Sequence, residues 1–301
     1  MKVSYGSDRS TWPTHSYNDM GYYVIPISSS GSTTKPKEDS WVRYDYVLRN
    51  QYGDIVNGYY SGSTYVNLIT DAQLAKELGV YRDTIHYVPD FQIISDVYAT
   101  GIPNGVRDAM KSYMHLGDSV RLVMIPEVSW QSAVSTTNSN APIVTDIAIR
   151  EIVDNIAEYK INEIDAFAST KYPAAIKDTV GLYYLHVTPP PASPVADSSK
   201  VRVWYVGRFL DGFVFDTNIA DTAKAHNIYS AVRQYKELEV TLIEGKSNVY
   251  AGFERALRKM NVGSEIVTFS TSNWGGGYQA GTNFIYHIPI MFEIWMVSAE
   301  K

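Results

Sequence analysis

Few residues of this chain have the types and spacing that bond-breaking chemistry requires. The six histidines form neither an HxxxH nor an HExxH pattern, so the sequence predicts no metal site, and no cofactor is implied. Gly245-Lys246-Ser247 resembles the end of a phosphate-binding loop, but Val240 occupies the position of the required earlier glycine. The sequence has no cysteine and no GxSxG motif, so it offers neither a thiol nor an elbow serine as a nucleophile.

Composition and charge exclude several further classes of protein. The 301 residues are 45% apolar and 19% charged, which is enough to form cores and predicts about two domains. A formal net charge of −6, without any run of Lys or Arg longer than two residues, argues against nucleic-acid binding. Since no stretch approaches the roughly 18 apolar residues of a membrane-spanning helix, we expect a chain that does not span a membrane.

The elements that must position a site follow from hydrophobic periodicity. Residues 201–208 alternate in the pattern of a half-buried strand, and residues 265–270 and 291–296 also read as strands. Apolar residues spaced 3, 1 and 3 apart between Phe253 and Met260 predict one short helix. We expect a glycine cap at Gly263 to end this helix.

An internal repeat is the clearest sign of domain organisation. Four blocks of the first half recur in the same order in the second half. The paired blocks are 21–26 with 181–187, 41–49 with 201–208, 102–110 with 249–257, and 142–147 with 289–294. We therefore predict an α+β protein with two tandem copies of one fold, each a curved antiparallel sheet wrapped over one short helix.

The motifs of the second copy resemble the FKBP-type peptidyl-prolyl cis-trans isomerases. The resemblance covers the chain from about residue 181 onward, and its most specific string is DGFVFDT at 211–217. The other matching motifs are VRVWYVGR at 201–208, VYAGFERAL at 249–257, MNVG at 260–263 and IPIMFEI at 288–294. The helix predicted before the GLYY string is similar to that of tandem, exported FKBP-like lipoproteins of Gram-negative bacteria.

This resemblance implies a pocket and assigns residues to it. The residues that match the family's catalytic walls are Tyr205, Phe215, Asp216, Phe253 and Phe292, with Phe253 in place of the usual tryptophan. The implied substrate-binding residues are Val249, Tyr250, whose backbone N–H faces the substrate in the family, and Trp274, near the flap tyrosine. Taken singly, each reads as an ordinary core, strand or turn residue, and only their joint order indicates a pocket.

The first copy departs further from the family pattern. Val56 and Asn57 stand at the phenylalanine–aspartate pair, Val106 at the pocket floor and Thr145 at the late-strand phenylalanine, while Tyr46 remains. We therefore expect the first copy to be non-catalytic and to act as a scaffold, in self-association or in partner binding.

The predicted domains are a degenerate FKBP-like domain over 1–155, a linker helix over 156–172 and an isomerase-like domain over 173–301. A long insertion is expected at about 58–88 of the first copy. A second insertion, at about 218–235, is expected to be helical and to border the pocket of the second copy.

The predicted function is that of a peptidyl-prolyl isomerase that assists protein folding, with the activity in the second domain. The alternative is a non-catalytic peptide-binding or assembly protein that uses degenerate FKBP-like domains. The partners implied are proline-containing polypeptides and, through the first domain, a second copy of the chain. The resemblance implies a periplasmic or outer-membrane-associated protein. Because residues 1–6 carry no apolar signal core, we expect the leader to be missing from this sequence.

Overall fold

The structure is a computed structural model that describes residues 21–49, 55–59, 91–94, 102–125, 128–129, 142–189, 193–243, 247–275 and 288–300. The chain divides into two compact units, Met1–Asn155 and Ile156–Lys301. Most of the insertion expected at 58–88 lies outside the described residues. None of the helices in the described ranges is long and apolar enough to cross a bilayer.

The described part of the first unit forms an antiparallel sheet and one helix, α1. Their bounds are β1 (Tyr22–Ser28), β2 (Trp41–Arg49), β3 (Ile55–Tyr59), β4 (Gln92–Ile93), α1 (Asn104–Tyr113), β5 (Ser119–Met124) and β6 (Ile143–Val153). Val106 and Met110 of α1 are fully buried and pack with Leu122 and Ile147 of the sheet. This arrangement places the core between one sheet face and a single helix.

The second unit repeats this plan and adds elements to it. Its elements are α2 (Ile156–Lys171), β7 (Ile176–Thr179), β8 (Leu182–His186), β9 (Lys200–Phe209), β10 (Val214–Thr217), α3 (Ala220–Ala225), β11 (Leu238–Thr241), α4 (Ala251–Leu257), β12 (Glu265–Ser270), α5 (Ser272–Gly275) and β13 (Ile290–Glu300). The predicted strands 201–208, 265–270 and 291–296 lie within β9, β12 and β13.

The two sheets have the same strand order. In the first unit the order is β1-β5-β6-β2-β3, with β4 also paired to β2. In the second unit the order is β8-β12-β13-β9-β10, with β11 also paired to β9 and β7 added beside β8. All of these pairings are antiparallel. The prediction of an α+β fold in two tandem copies is confirmed.

The sheet of the second unit is covered by a helix on each face. Because side chains alternate along a strand, Phe292 of β13 faces α4 while its neighbour Met291 faces the opposite side. On that outer face, Phe269 packs with Ile164 of α2. Tyr183 donates a hydrogen bond of 2.7 Å to Asp165 of the same helix. The segment predicted as a linker helix therefore contributes to a core of the second unit.

Two local expectations differ from the structure. Helix α4 ends at Leu257, not at the predicted glycine cap, and Gly263 lies six residues further on, in a turn with φ +81°. The Gly263 N–H donates to Met296 O, so this glycine serves the turn into β12 instead of capping the helix. The insertion expected to be helical over 218–235 forms one helix of six residues, α3, and is otherwise irregular.

Candidate active site

The inner face of the second sheet places aromatic side chains around α4. In the register of β9 and β13, Phe292 lies opposite Gly207, and Ile294 lies opposite Tyr205. Tyr205, Phe253 and Phe292 are 8%, 3% and 6% exposed, whereas Phe215 and Tyr250 are half-buried. We call these five residues the aromatic cluster. The three buried members form the floor of the cluster, and the two half-buried members form its rim.

Phe292 is the centre of the aromatic cluster. Its ring centroid lies 5.1 Å from Phe253, 5.9 Å from Phe215, 6.0 Å from Tyr205 and 6.1 Å from Tyr250. The first three of these contacts are edge-to-face, the geometry that aromatic quadrupoles favour, and the contact with Tyr250 is tilted. The cluster is thus held by one strand residue that touches every other member.

Gly207 makes this close packing feasible. A Cβ atom at position 207 would lie 2.8 Å from Phe292 Cε1 and 2.9 Å from Phe215 Cζ. Both distances are shorter than any ordinary carbon–carbon contact, so the two rings could not keep their positions beside a side chain at 207. The glycine of the VRVWYVGR motif is therefore required by the packing of the rings.

A polar network lies at one edge of the aromatic cluster. The Tyr205 hydroxyl donates to Asp216 Oδ2 at 2.6 Å. Arg233 donates through Nη1 to Asp216 Oδ1 and through Nη2 to the Tyr205 hydroxyl oxygen, the latter at 3.1 Å. Burial, together with the hydrogen bond to Asp216, raises the pKa of Tyr205 well above its ordinary value. Tyr205 consequently stays neutral and remains a hydrogen-bond donor at physiological pH.

Asn218 fixes the backbone from which this network is built. Its Oδ1 accepts a bond of 2.8 Å from the Tyr205 N–H, and its Nδ2 donates to Val203 O and Lys236 O. The neighbouring Thr217 hydroxyl donates to Tyr205 O at 2.6 Å. Both side chains are buried, so these bonds tie β9 to the start and the end of the insertion without competition from water.

The structure brings together most of the residues that the sequence assigned to the pocket. Tyr205, Phe215, Asp216, Phe253, Phe292 and Tyr250 are in mutual contact as described, and Val249 packs against the same core. Trp274 lies in α5, where its Nε1 donates to Val180 O at 2.9 Å and its ring lies 5.4 Å from the Arg255 guanidinium. The flap residues that follow it lie outside the described part of the chain.

Two residues of the site were missed by sequence reasoning. Arg233 and Asn218 belong to the segment predicted as an insertion, to which the sequence analysis assigned no site residue. The only available signal for Asn218 was its position directly after the DGFVFDT string. For Arg233, 17 residues beyond Asp216, no spacing rule indicated a contact.

The equivalent region of the first unit lacks the aromatic lining. Val106 and Thr145 are both fully buried there, at the positions of Phe253 and Phe292. Tyr46 packs against the core beside Tyr44, with ring centroids 5.9 Å apart, and burial raises its pKa. Among the described residues of the whole chain, no group of three or more His, Asp and Glu is placed to hold a metal ion.

Comparison with known proteins finds a family match within the second unit. Residues 192–281 match the family model described as FKBP-type peptidyl-prolyl cis-trans isomerase. This segment contains Tyr205, the Phe215–Asp216 pair and Phe253. Over residues 192–281, the second unit is therefore similar to the FKBP-type peptidyl-prolyl cis-trans isomerases.

Three solved structures serve as examples of proteins to which this chain is similar. The three FKBP domains of wheat FKBP73 are 16% identical, with 94% of this chain and 96% of that chain covered and a TM-score of 0.33. An isomerase from Pseudomonas syringae pv. tomato is 21% identical over 48% of this chain and 96% of its own, with a TM-score of 0.36. FkpA from Escherichia coli is 20% identical over 48% of this chain and 59% of its own, with a TM-score of 0.37. No curated protein sequence matches the chain.

Proposed function

We propose that the aromatic cluster of the second unit catalyses cis-trans isomerisation of X–Pro bonds during protein folding. The barrier to this rotation is about 20 kcal/mol and comes from amide resonance, which places partial charges on oxygen and nitrogen. A water-excluding pocket favours the twisted, less polar amide over the planar one that water solvates well. Such a mechanism requires no nucleophile and no metal.

One observation carries the proposal: the buried Phe292 contacts all four other rings of the cluster. The floor of Tyr205, Phe253 and Phe292 supplies an apolar surface against which a proline ring can pack. Phe215 and Tyr250, being half-buried, are the members that a substrate can reach. Asp216 and Tyr205 place a polar edge beside this surface for the substrate backbone.

The direct test is a protease-free isomerase assay on a proline tetrapeptide with the full chain. Phe215→Ala removes a reachable ring, and we expect a fall in kcat/KM of about ten-fold or more, equivalent to about 1.4 kcal/mol. The matched control is Phe213→Ala, a phenylalanine two residues before Phe215 that stacks on Phe209 with ring centroids 6.0 Å apart. Equal loss in both variants, or no acceleration by the folded wild type, would contradict the proposal.

For the first unit we propose a non-catalytic role as a scaffold or partner-binding module. The support is the replacement of the two central phenylalanines by Val106 and Thr145. If the first unit carried activity, a chain with Phe215→Ala and Phe292→Leu would retain part of the wild-type rate. We expect this double variant to show no isomerisation rate above that of the uncatalysed reaction.

The remaining proposals concern partners and cell compartment. We propose that the clients are proline-containing segments of exported proteins and that the protein acts in the periplasm or at the outer membrane. The support is the sequence resemblance to tandem, exported FKBP-like lipoproteins. Fractionation of cells that express the natural gene tests this, and recovery in the cytoplasm alone would refute it.

A folded chain that binds prolyl peptides without turnover would favour the peptide-binding alternative.

A further inference from the structure

Arg233 brings unused hydrogen-bond donors to the edge of the aromatic cluster. A guanidinium carries five N–H donors. In the described structure, Arg233 uses one on Asp216 and one on the Tyr205 hydroxyl, and its side chain is 38% exposed. Three donors therefore have no partner among the described residues. They are available to acceptors that come from solution.

Asp216 supplies the acceptors at the same edge. Its Oδ2 accepts from Tyr205 and its Oδ1 accepts from Arg233, so each carboxylate oxygen already has one donor and keeps one lone pair for another. The three unused N–H groups of Arg233 are thus the larger unfilled hydrogen-bonding capacity at this edge. A substrate carboxylate satisfies them better than an amide does, because its hydrogen bonds to a guanidinium are charge-assisted.

The Arg233 guanidinium is also held in a defined orientation. Its Cζ lies 5.6 Å from the centroid of Tyr235, and that ring stacks on Tyr229 at 5.1 Å. The Tyr235 hydroxyl accepts a hydrogen bond of 2.9 Å from the Ser230 N–H, which links the two ends of the segment 230–235. Little side-chain entropy is left for Arg233 to lose on binding a ligand.

We propose that Arg233 is a specificity-determining residue that favours substrates with an acidic side chain next to the proline. The inference rests on the proposed function, since it assumes that prolyl peptides bind at the aromatic cluster. Arg233 binds the flanking carboxylate through the donors that Asp216 and Tyr205 leave unused. The insertion thus supplies a second recognition element beside the apolar surface for the proline ring.

The test measures the binding of two fluorescein-labelled peptides to the full chain by anisotropy. The peptides Ala-Glu-Pro-Glu-Phe and Ala-Gln-Pro-Gln-Phe have the same shape and differ only in charge. We expect the wild type to bind the Glu peptide about five-fold more tightly at low salt, and expect the ratio to fall at 0.5 M salt. Arg233→Gln is expected to remove the preference, and Arg233→Lys to keep only part of it.

The matched control is Lys224→Gln, which removes the same charge from the same insertion. Lys224 pairs with Asp221 at 3.4 Å and lies 5.4 Å from the Tyr229 ring centroid, but no contact with Arg233, Asp216 or Tyr205 is seen in the described structure. We expect this variant to keep the wild-type ratio. Equal affinity of the wild type for both peptides, a preference that survives Arg233→Gln, loss of it in Lys224→Gln, or no binding of either peptide would overturn the inference.

An isomerase assay on the same protein separates this inference from the proposed function. A chain that prefers the Glu peptide but does not accelerate isomerisation would refute turnover and support the specificity role. A chain that accelerates isomerisation but binds both peptides equally would support turnover and refute the specificity role. Circular dichroism of each variant confirms that it is folded.

Discussion

At the scale of single residues, the candidate active site depends on one position without a side chain and on one tyrosine that stays uncharged. The absent side chain of Gly207 leaves room for the Phe292 and Phe215 rings, and the absent charge of Tyr205 keeps its hydroxyl a donor. Both features set the shape and polarity of the pocket rather than supply a reactive group. Substitutions that alter them should therefore affect activity more than a surface change would.

Gly207→Ala is expected to disrupt the aromatic cluster directly. The new Cβ would meet Phe292 and Phe215 at under 3 Å, so both rings must move. Overpacking of this kind costs about 1–3 kcal/mol. We expect thermal unfolding at lower temperature and a loss of isomerase activity in the fraction that stays folded. Gly212→Ala, where a Cβ would meet nothing within 4 Å but φ is +95°, tests whether steric overlap or backbone strain is the larger effect.

Tyr205→Phe removes one hydroxyl and keeps the ring. Asp216 Oδ2 then loses its donor, and we expect a cost of about 0.5–1.5 kcal/mol in stability. We also expect kcat/KM to fall several-fold because the edge of the pocket loses its orientation. Tyr46→Phe, at the matching strand position of the first unit, should leave isomerase activity unchanged. A similar loss of activity in both variants would indicate that the first unit takes part in turnover.

At the scale of elements, single polar side chains hold irregular segments onto the sheets. Asn218 ties both ends of the insertion to β9 in the second unit. In the first unit, Asp118 accepts from the Ser30 and His115 N–H groups, each at 2.8 Å, and so ties the segment after β1 to the segment after α1.

Asn218→Ala is expected to loosen the insertion as a whole. It leaves the buried Tyr205 N–H and two carbonyl groups without their partner, at a cost of about 1–3 kcal/mol. Hydrogen exchange should increase over residues 219–237 more than in β12. Asn218→Asp keeps the acceptor for Tyr205 but turns a buried carboxylate oxygen toward two carbonyl oxygens, so we expect it to lose at least as much stability. Unchanged exchange in the alanine variant would show that other contacts hold the insertion.

Asp118 makes the stability of the first unit depend on pH. Burial alone would raise its pKa, but the hydrogen bonds from Ser30 and His115 outweigh burial and lower the pKa below its ordinary value of about 3.8. The unfolded state therefore binds the proton more readily. The stabilisation is complete above the unfolded pKa and is lost as pH falls through the folded pKa.

Asp118→Asn should accordingly lower the free energy of unfolding at pH 7 by about 1–3 kcal/mol. We expect the difference from the wild type to shrink as the pH falls below 4. Urea unfolding followed at a series of pH values measures both effects. A difference that is independent of pH would mean that the ionised carboxylate contributes nothing beyond its shape.

At the scale of the whole molecule, the second unit is a sheet between two helical layers. Helix α2 covers Tyr183, Phe269 and Met291 on the outer face, while α4 covers the inner face. A fragment of residues 156–301 should therefore fold cooperatively. A fragment that begins at residue 173 exposes the outer apolar patch and should bind a hydrophobic dye and aggregate. Equal solubility of the two fragments would show that α2 is dispensable.

The sequence was informative where a local pattern and a tertiary role coincide. The strand predicted at 265–270 matches the observed bounds of β12, and the repeated blocks anticipated the shared strand order. The prediction at Gly263 was wrong because a glycine near a helix end also suits a turn. Arg233 was missed because a contact made from an insertion follows no periodicity in the sequence. Trp274 was assigned to the pocket, but its indole N–H is bound to Val180 O, so its role in substrate binding stays a prediction.

The position of β13 has a consequence for how the protein is made. β13 lies between β9 and β12, and it carries Phe292, the centre of the aromatic cluster. Until β13 has been synthesised and has left the ribosome, β9 and β12 each have one unpaired edge. Unpaired strand edges pair readily with other chains. In the first unit the matching central strand is β6, which emerges earlier, so we expect this unit to fold while the second is still being translated. The nascent second unit thus needs protection from aggregation before its own pocket exists.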